Sequence, residues 1–89
     1  MDEKELLIKV KRDMGLTGEY HDEVIKDYIQ YVKDFLIDGG VPKEVVDSSA
    51  SVGAITQGVN DMWGNEGAGF SNLFIMRAIQ LASKGDKDV

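Results

Sequence analysis

His21 is the single histidine of this 89-residue chain, and it stands directly before two carboxylates, Asp22 and Glu23. An imidazole beside carboxylates is the raw material of a general base or a metal site. Neither chemistry closes here. A metal needs several convergent ligands, yet the chain has no second histidine and no cysteine, and acids in the first turn of a helix are already explained by its positive end. A second candidate is Gly64-Asn65-Glu66-Gly67-Ala68-Gly69-Phe70-Ser71, which has the glycine spacing of a phosphate-binding loop and a serine at its end. That motif requires a lysine where Phe70 stands, and a strand rather than a helix before it. The stretch is therefore read as an interhelical loop flanked by two aromatics, Trp63 and Phe70, expected to anchor in the core.

A third candidate, Asp47-Ser48-Ser49, resembles the Asp-Ser-Leu motif of carrier proteins, small acidic helical domains whose serine bears a phosphopantetheine arm. The likeness covers two residues: Ser49 stands where the leucine would, and no glycine precedes Asp47. As helix caps, these residues and Ser51 are fully explained. No cofactor is implied.

The bulk numbers limit the choice of function. At 89 residues, 43% hydrophobic and 29% charged, the chain is expected to fold as one domain over residues 1–89. Without cysteine it has no disulfide framework and no thiol nucleophile, which leaves the cytosol as the default compartment. The charged start, Met1-Asp2-Glu3-Lys4-Glu5, is not a secretory signal, and no uncharged apolar run is long enough to span a bilayer. A soluble protein with no membrane partner is expected. The net charge is −6, concentrated in the middle: residues 13–47 hold nine acids against three bases, whereas residues 1–12 hold three against four. Such a surface repels phosphate, so sequence-specific nucleic-acid binding is not expected.

Helical spacing runs through the whole chain, and the fold expected is all-α, a small bundle of about four helices at roughly 2–14, 21–38, 48–63 and 71–84. Leu6, Leu7, Val10 and Met14 mark the first, with Gly15 as its left-handed stop. Val24, Ile25, Tyr28, Ile29, Val32, Phe35 and Leu36 mark the central helix, with His21 or Asp22 as its cap and Gly39-Gly40 as its stop. Its acids, Glu23, Asp27, Asp34 and Asp38, fall largely away from that stripe, on a solvated face or a docking surface. Lys43 to Val46 makes one tight turn. Val52, Ile55, Val59, Met62 and Trp63 mark the third helix, and the glycines inside it, Gly53 and Gly58, predict a close helix crossing. A glycine-rich loop, Gly64 to Gly69, precedes a last helix capped by Ser71. Leu73, Phe74, Ile75, Met76, Ala78, Ile79, Leu81 and Ala82 make that helix apolar nearly all round, which favours a shared subunit interface.

In this order and at these lengths the segments resemble the head-tail connector proteins of tailed bacteriophages, also called adaptor or head-completion proteins. The likeness runs through Leu6, Leu7, Val10, Lys11 and Gly15-Leu16, then Asp22-Glu23-Val24-Ile25 with Tyr28, Ile29, Val32 and Phe35. It continues through Gly53, Ile55, Val59, Met62 and Trp63 to a glycine loop and a closing helix with Phe74, Arg77, Ile79 and Leu81. The resemblance implies a structural, non-catalytic protein of a phage or prophage. Its subunits would form a homo-oligomeric ring between the portal protein and the tail or stopper protein, with DNA passing through. It would reside at the head-tail interface of the virion, and in the bacterial host cytoplasm before assembly. The candidate interface is Gly64, Gly67, Gly69, Phe70, Phe74 and Arg77. The rival readings are the carrier domain and a small acidic regulator or DNA mimic.

Overall fold

Leu6, Leu7 and Val10 lie three to four residues apart and bury together, so the first segment folds as a helix with one apolar edge, α1, Glu3–Met14. It ends in a Schellman closure: Gly15, at φ 73°, donates its N–H to Arg12, and the N–H of Leu16 reaches back to the Lys11 carbonyl at 2.9 Å. The computed structural model describes residues 3–64 and 70–85, with the backbone alone at 84 and 85.

The second helix, α2, spans Asp22–Asp38, and Ile25, Ile29, Val32 and Leu36 are its buried stripe at spacings of four, three and four. Val24 and Phe35, expected in that stripe, lie on its flank and remain partly exposed. His21 occupies the cap position without a side-chain hydrogen bond, and the Asp22 carboxylate stands in the first turn. Its Oδ1 lies 2.7 Å from Lys11 Nζ, which also donates to the Gly18 carbonyl, so one lysine ties α1 to the entry of α2. Of the two glycines after α2, it is Gly40, at φ 103°, that makes the stop. Its N–H donates to Ile37 while that of Val41 donates to Leu36 at 3.0 Å, the same closure as after α1. Val41 and Leu36 are both buried, which supplies the apolar contact that accompanies this cap.

A short helix α3, Lys43–Val46, and a 3₁₀ turn, Ser49–Ser51, come next, so the third predicted helix begins later than its serines. Ser48 caps that turn: its hydroxyl accepts from the Ala50 N–H at 3.2 Å and donates to the Val45 carbonyl at 2.8 Å. The buried Ser51 hydroxyl lies 2.5 Å from the Val46 carbonyl and fixes the chain into α4, Val52–Gly64. The last helix, α5, covers Asn72–Gly85. No strand occurs among the described residues, and the fold is a small all-α bundle with four long helices and one short one.

The core lies between α1, α2 and α4, with α5 laid across through Phe74 and Leu81. Gly58 is where the close crossing occurs. A Cβ at that position would stand 2.7 Å from the Phe74 ring and 3.0 Å from both Val32 methyls. Gly53 differs: its Cβ would meet only the end of the Arg77 side chain, at 3.2 Å.

Opposite outcomes are expected for the same substitution at these two glycines. Gly58→Ala overpacks a rigid contact, which typically costs about 1–3 kcal/mol and exceeds the gain in helix propensity of under about 1 kcal/mol. Gly53→Ala displaces only a flexible guanidinium and should be neutral or stabilising by roughly 0.5 kcal/mol. Urea unfolding midpoints of the two variants check this, and equal midpoints would exclude the close approach at Gly58.

Candidate functional site

Asp61 and Ser71 set where the last helix starts. The Asp61 Oδ2 accepts the Ser71 N–H at 3.0 Å and the Ser71 hydroxyl at 2.7 Å, while Oδ1 accepts from Gln57 Nε2 at 3.0 Å. The Ser71 oxygen in turn accepts the Phe74 N–H at 3.2 Å, the predicted N-cap of α5. Two residues distant in sequence thus join the last turn of α4 to the first turn of α5. Asp61 as an anchor is not legible in the sequence, where it reads as one more exposed acid.

The residues of the candidate interface divide by position. Gly64 closes α4 instead of opening the loop, with open space around its Cα. Gly67 and Gly69 lie outside the described residues. Phe70 is half-buried and stacks on Phe74 with centroids 4.3 Å apart, and Phe35 completes the cluster at 4.8 Å from Phe70. Phe74 itself is fully buried and supports the surface from below, while Arg77 is exposed. Tyr31, whose ring is 6.2 Å from Phe70, extends the cluster along α2. Tyr31 and Phe35 stand four apart on the flank of α2, a spacing that the alternation of core residues conceals in the sequence.

Above this cluster α5 turns an apolar face outward. Leu73 is 48% exposed, Ile75 37%, Met76 59% and Ile79 62%. Ile75, Ala78, Ile79 and Ala82 form one wall of a shallow groove, with Phe35 and Val41 on the other. Across residues 70–85 the sequence holds no acid, and its charges are Arg77 and Lys84. The outer face of α2 has the opposite character: Glu23, Asp27, Asp34 and Asp38 are all exposed there. Asn72, Gln80 and Ser83, also exposed, stand among the α5 aliphatics on the outer side of that helix, so the surface is mixed in character, and its exposed large side chains make it the candidate interaction surface.

The positions that looked reactive are occupied structurally. The His21 ring is held edge-on by Tyr20 and Trp63, at 4.7 and 4.9 Å. Among the described residues no three histidines, cysteines or carboxylates converge on a point that could hold a metal. Ser48 has its proton on the Val45 carbonyl. Beside it, Asp47 and Lys43 pair at 2.9 Å; the hydrogen bond holds the Asp47 carboxyl below its ordinary range and raises the Lys43 ammonium. Both are exposed to solvent, where such a pair contributes little. No helix among the described residues is long and apolar enough to cross a membrane. Compared with known proteins, the chain matches no family model, no curated protein and no solved structure.

The Asp61 to Ser71 joint should behave as one coupled unit. Ser71→Ala removes a cap at about 1 kcal/mol, and Asp61→Ala takes the acceptor from three donors, the Ser71 N–H and hydroxyl and Gln57 Nε2, at about 1–3 kcal/mol. In a double-mutant cycle read by thermal or urea unfolding, the two losses should fall short of additivity by at least about 0.5 kcal/mol. Additive losses would mean that the joint does not form in solution.

Proposed function

We propose that this chain is a structural subunit of a phage or prophage head-tail connector, a ring seated between the portal protein and the tail or stopper protein. The observation that carries the reading is the outer face of α5. It exposes four large aliphatic side chains on a helix whose inner edge, Phe74, Ala78, Leu81 and Ala82, already packs on its own core. A subunit with permanent neighbours has a use for such a surface, while an isolated monomer of this size has reason to bury it. The acidic outer face of α2 fits the same role. A ring that lets DNA pass gains from surfaces that repel phosphate, because each basic contact would retain the duplex through counterion release. Assembly on a preformed portal ring would bring the subunits together at their site of use.

The decisive measurement is co-sedimentation with purified rings of a phage portal protein. Binding is expected for the native chain. It is expected to fall at least tenfold for a Met76→Asp, Ile79→Asp variant whose circular dichroism is unchanged. Absence of native binding at micromolar concentrations, or equal binding by the variant, would count against the reading.

A further inference from the structure

The three tyrosines, three phenylalanines and single tryptophan of the chain all lie in one band along a flank of α2. Tyr20, His21, Trp63 and Tyr28 meet edge-on in one run, with centroids 4.7 to 6.3 Å apart, and Tyr31, Phe70, Phe35 and Phe74 form a second at 4.3 to 6.2 Å. Of these rings only Phe74 is fully buried, whereas Tyr20 and Tyr31 are exposed and Phe35 partly so. The rest of the core is aliphatic apart from Met62. A small domain gains most by burying its large rings, so rings kept along one edge have the composition of an interface.

Along α2 an aspartate follows each exposed apolar residue of this flank by three positions: Asp27 after Val24, Asp34 after Tyr31 and Asp38 after Phe35. Residues three apart are neighbours on a helix surface, so apolar side chains and carboxylates alternate over roughly 20 Å. Asp27 and Asp38 make no ion pair among the described residues, and Asp34 Oδ1 accepts from the neutral Gln30 at 3.0 Å. The lysines of α2, Lys26 and Lys33, stand two residues on from Val24 and Tyr31, which puts them on the opposite flank.

We propose that this flank of α2 is a docking surface for an arginine-bearing helix of another protein. Ring chemistry and charge together select that occupant. A guanidinium both lies flat on an aromatic face and pairs with a carboxylate through two parallel N–H groups, and Tyr31 and Phe35 with the aspartates one turn on offer it both. Val24, Tyr28, Tyr31 and Phe35 recur at spacings of four, three and four, the repeat that a helix laid alongside presents. Nucleic acid and anionic lipid are repelled by the same aspartates, and a second copy brings its own net charge of −6. The inference does not rest on the connector reading.

The test uses the intact chain, labelled with nitrogen-15, and two synthetic helical peptides of roughly 18 residues, long enough to lie along α2. The peptides are identical except that one carries arginine and the other lysine at every third or fourth position. The arginine peptide is expected to bind saturably at micromolar concentration, shifting the amides of residues 24–38, Trp63 and Phe70, and about fivefold or more tighter than the lysine peptide. Tyr31→Ala, at an exposed position outside the core, should weaken it about fivefold or more, and Asp34→Asn with Asp38→Asn about tenfold. Equal affinity for the two peptides, or unchanged binding by Tyr31→Ala, would reduce the attraction to net charge and overturn the proposal. So would absence of saturable binding, or amide shifts centred on α1 or α5. Shifts of the same α2 amides on concentrating the chain alone would replace the partner with a second copy. Portal binding is a separate result: a chain that binds portal rings but not the arginine peptide keeps the connector reading and loses this one, and the reverse pattern does the opposite.

Discussion

The contact at Gly58 is the constraint on which the rest of the structure depends. Because this residue has no side chain, the Val32 methyls and the Phe74 ring reach the backbone of α4, and three helices meet within one van der Waals layer. Interiors pack at crystal-like density, so a methyl inserted there would have to push a whole helix outward. The close approach seats Phe74 against α4, and Ala78, Leu81 and Ala82 continue the same edge of α5 against the body of the protein. A helix held along one edge keeps its outer side, with Met76 and Ile79, free.

That economy explains the character of the exterior. Small domains bury a lower fraction of their surface than large ones, and this one commits its aliphatics to a compact core between α1, α2 and α4. The apolar residues of α5 left over from that core are then gathered on one side, next to Tyr31, Phe35 and the groove below Ile79. On a chain that never met a partner, such a patch would be an aggregation hazard. An assembly role of the kind proposed would cover it.

The joints between helices are held by polar side chains that a reading for chemistry would have assigned elsewhere. Lys11 bridges Asp22 and the Gly18 carbonyl, Ser48 and Ser51 close the turn into α4, and Asp61 grips both ends of Ser71. The Ser48, Ser51 and Asp61 bonds satisfy backbone groups that helix termini would otherwise leave unpaired, while Lys11 and Asp22 meet as an ion pair. His21, packed between the rings of Tyr20 and Trp63, belongs to the same framework.

Local order was legible in the amino-acid sequence because it depends on neighbours three and four residues away. The spacing of Ile25, Ile29, Val32 and Leu36, the glycine stops at Gly15 and Gly40, the turn at Lys43–Val46 and the cap at Ser71 all follow from short-range rules of backbone geometry and capping. So did the close crossing near Gly58, since a glycine inside a helix is costly without such a contact. The tertiary structure alone decided which flank each residue took. Val24 and Phe35 share the helical period of the core yet lie outside it, because α2 is rotated to set Val32 against Gly58. Asp61 became an anchor only when the chain returned ten residues later with Ser71. Periodicity shows that α5 is apolar on nearly every side, but which side Phe74 would claim, and therefore which aliphatics remain outside, is set by the packing of three helices that the sequence does not order in space.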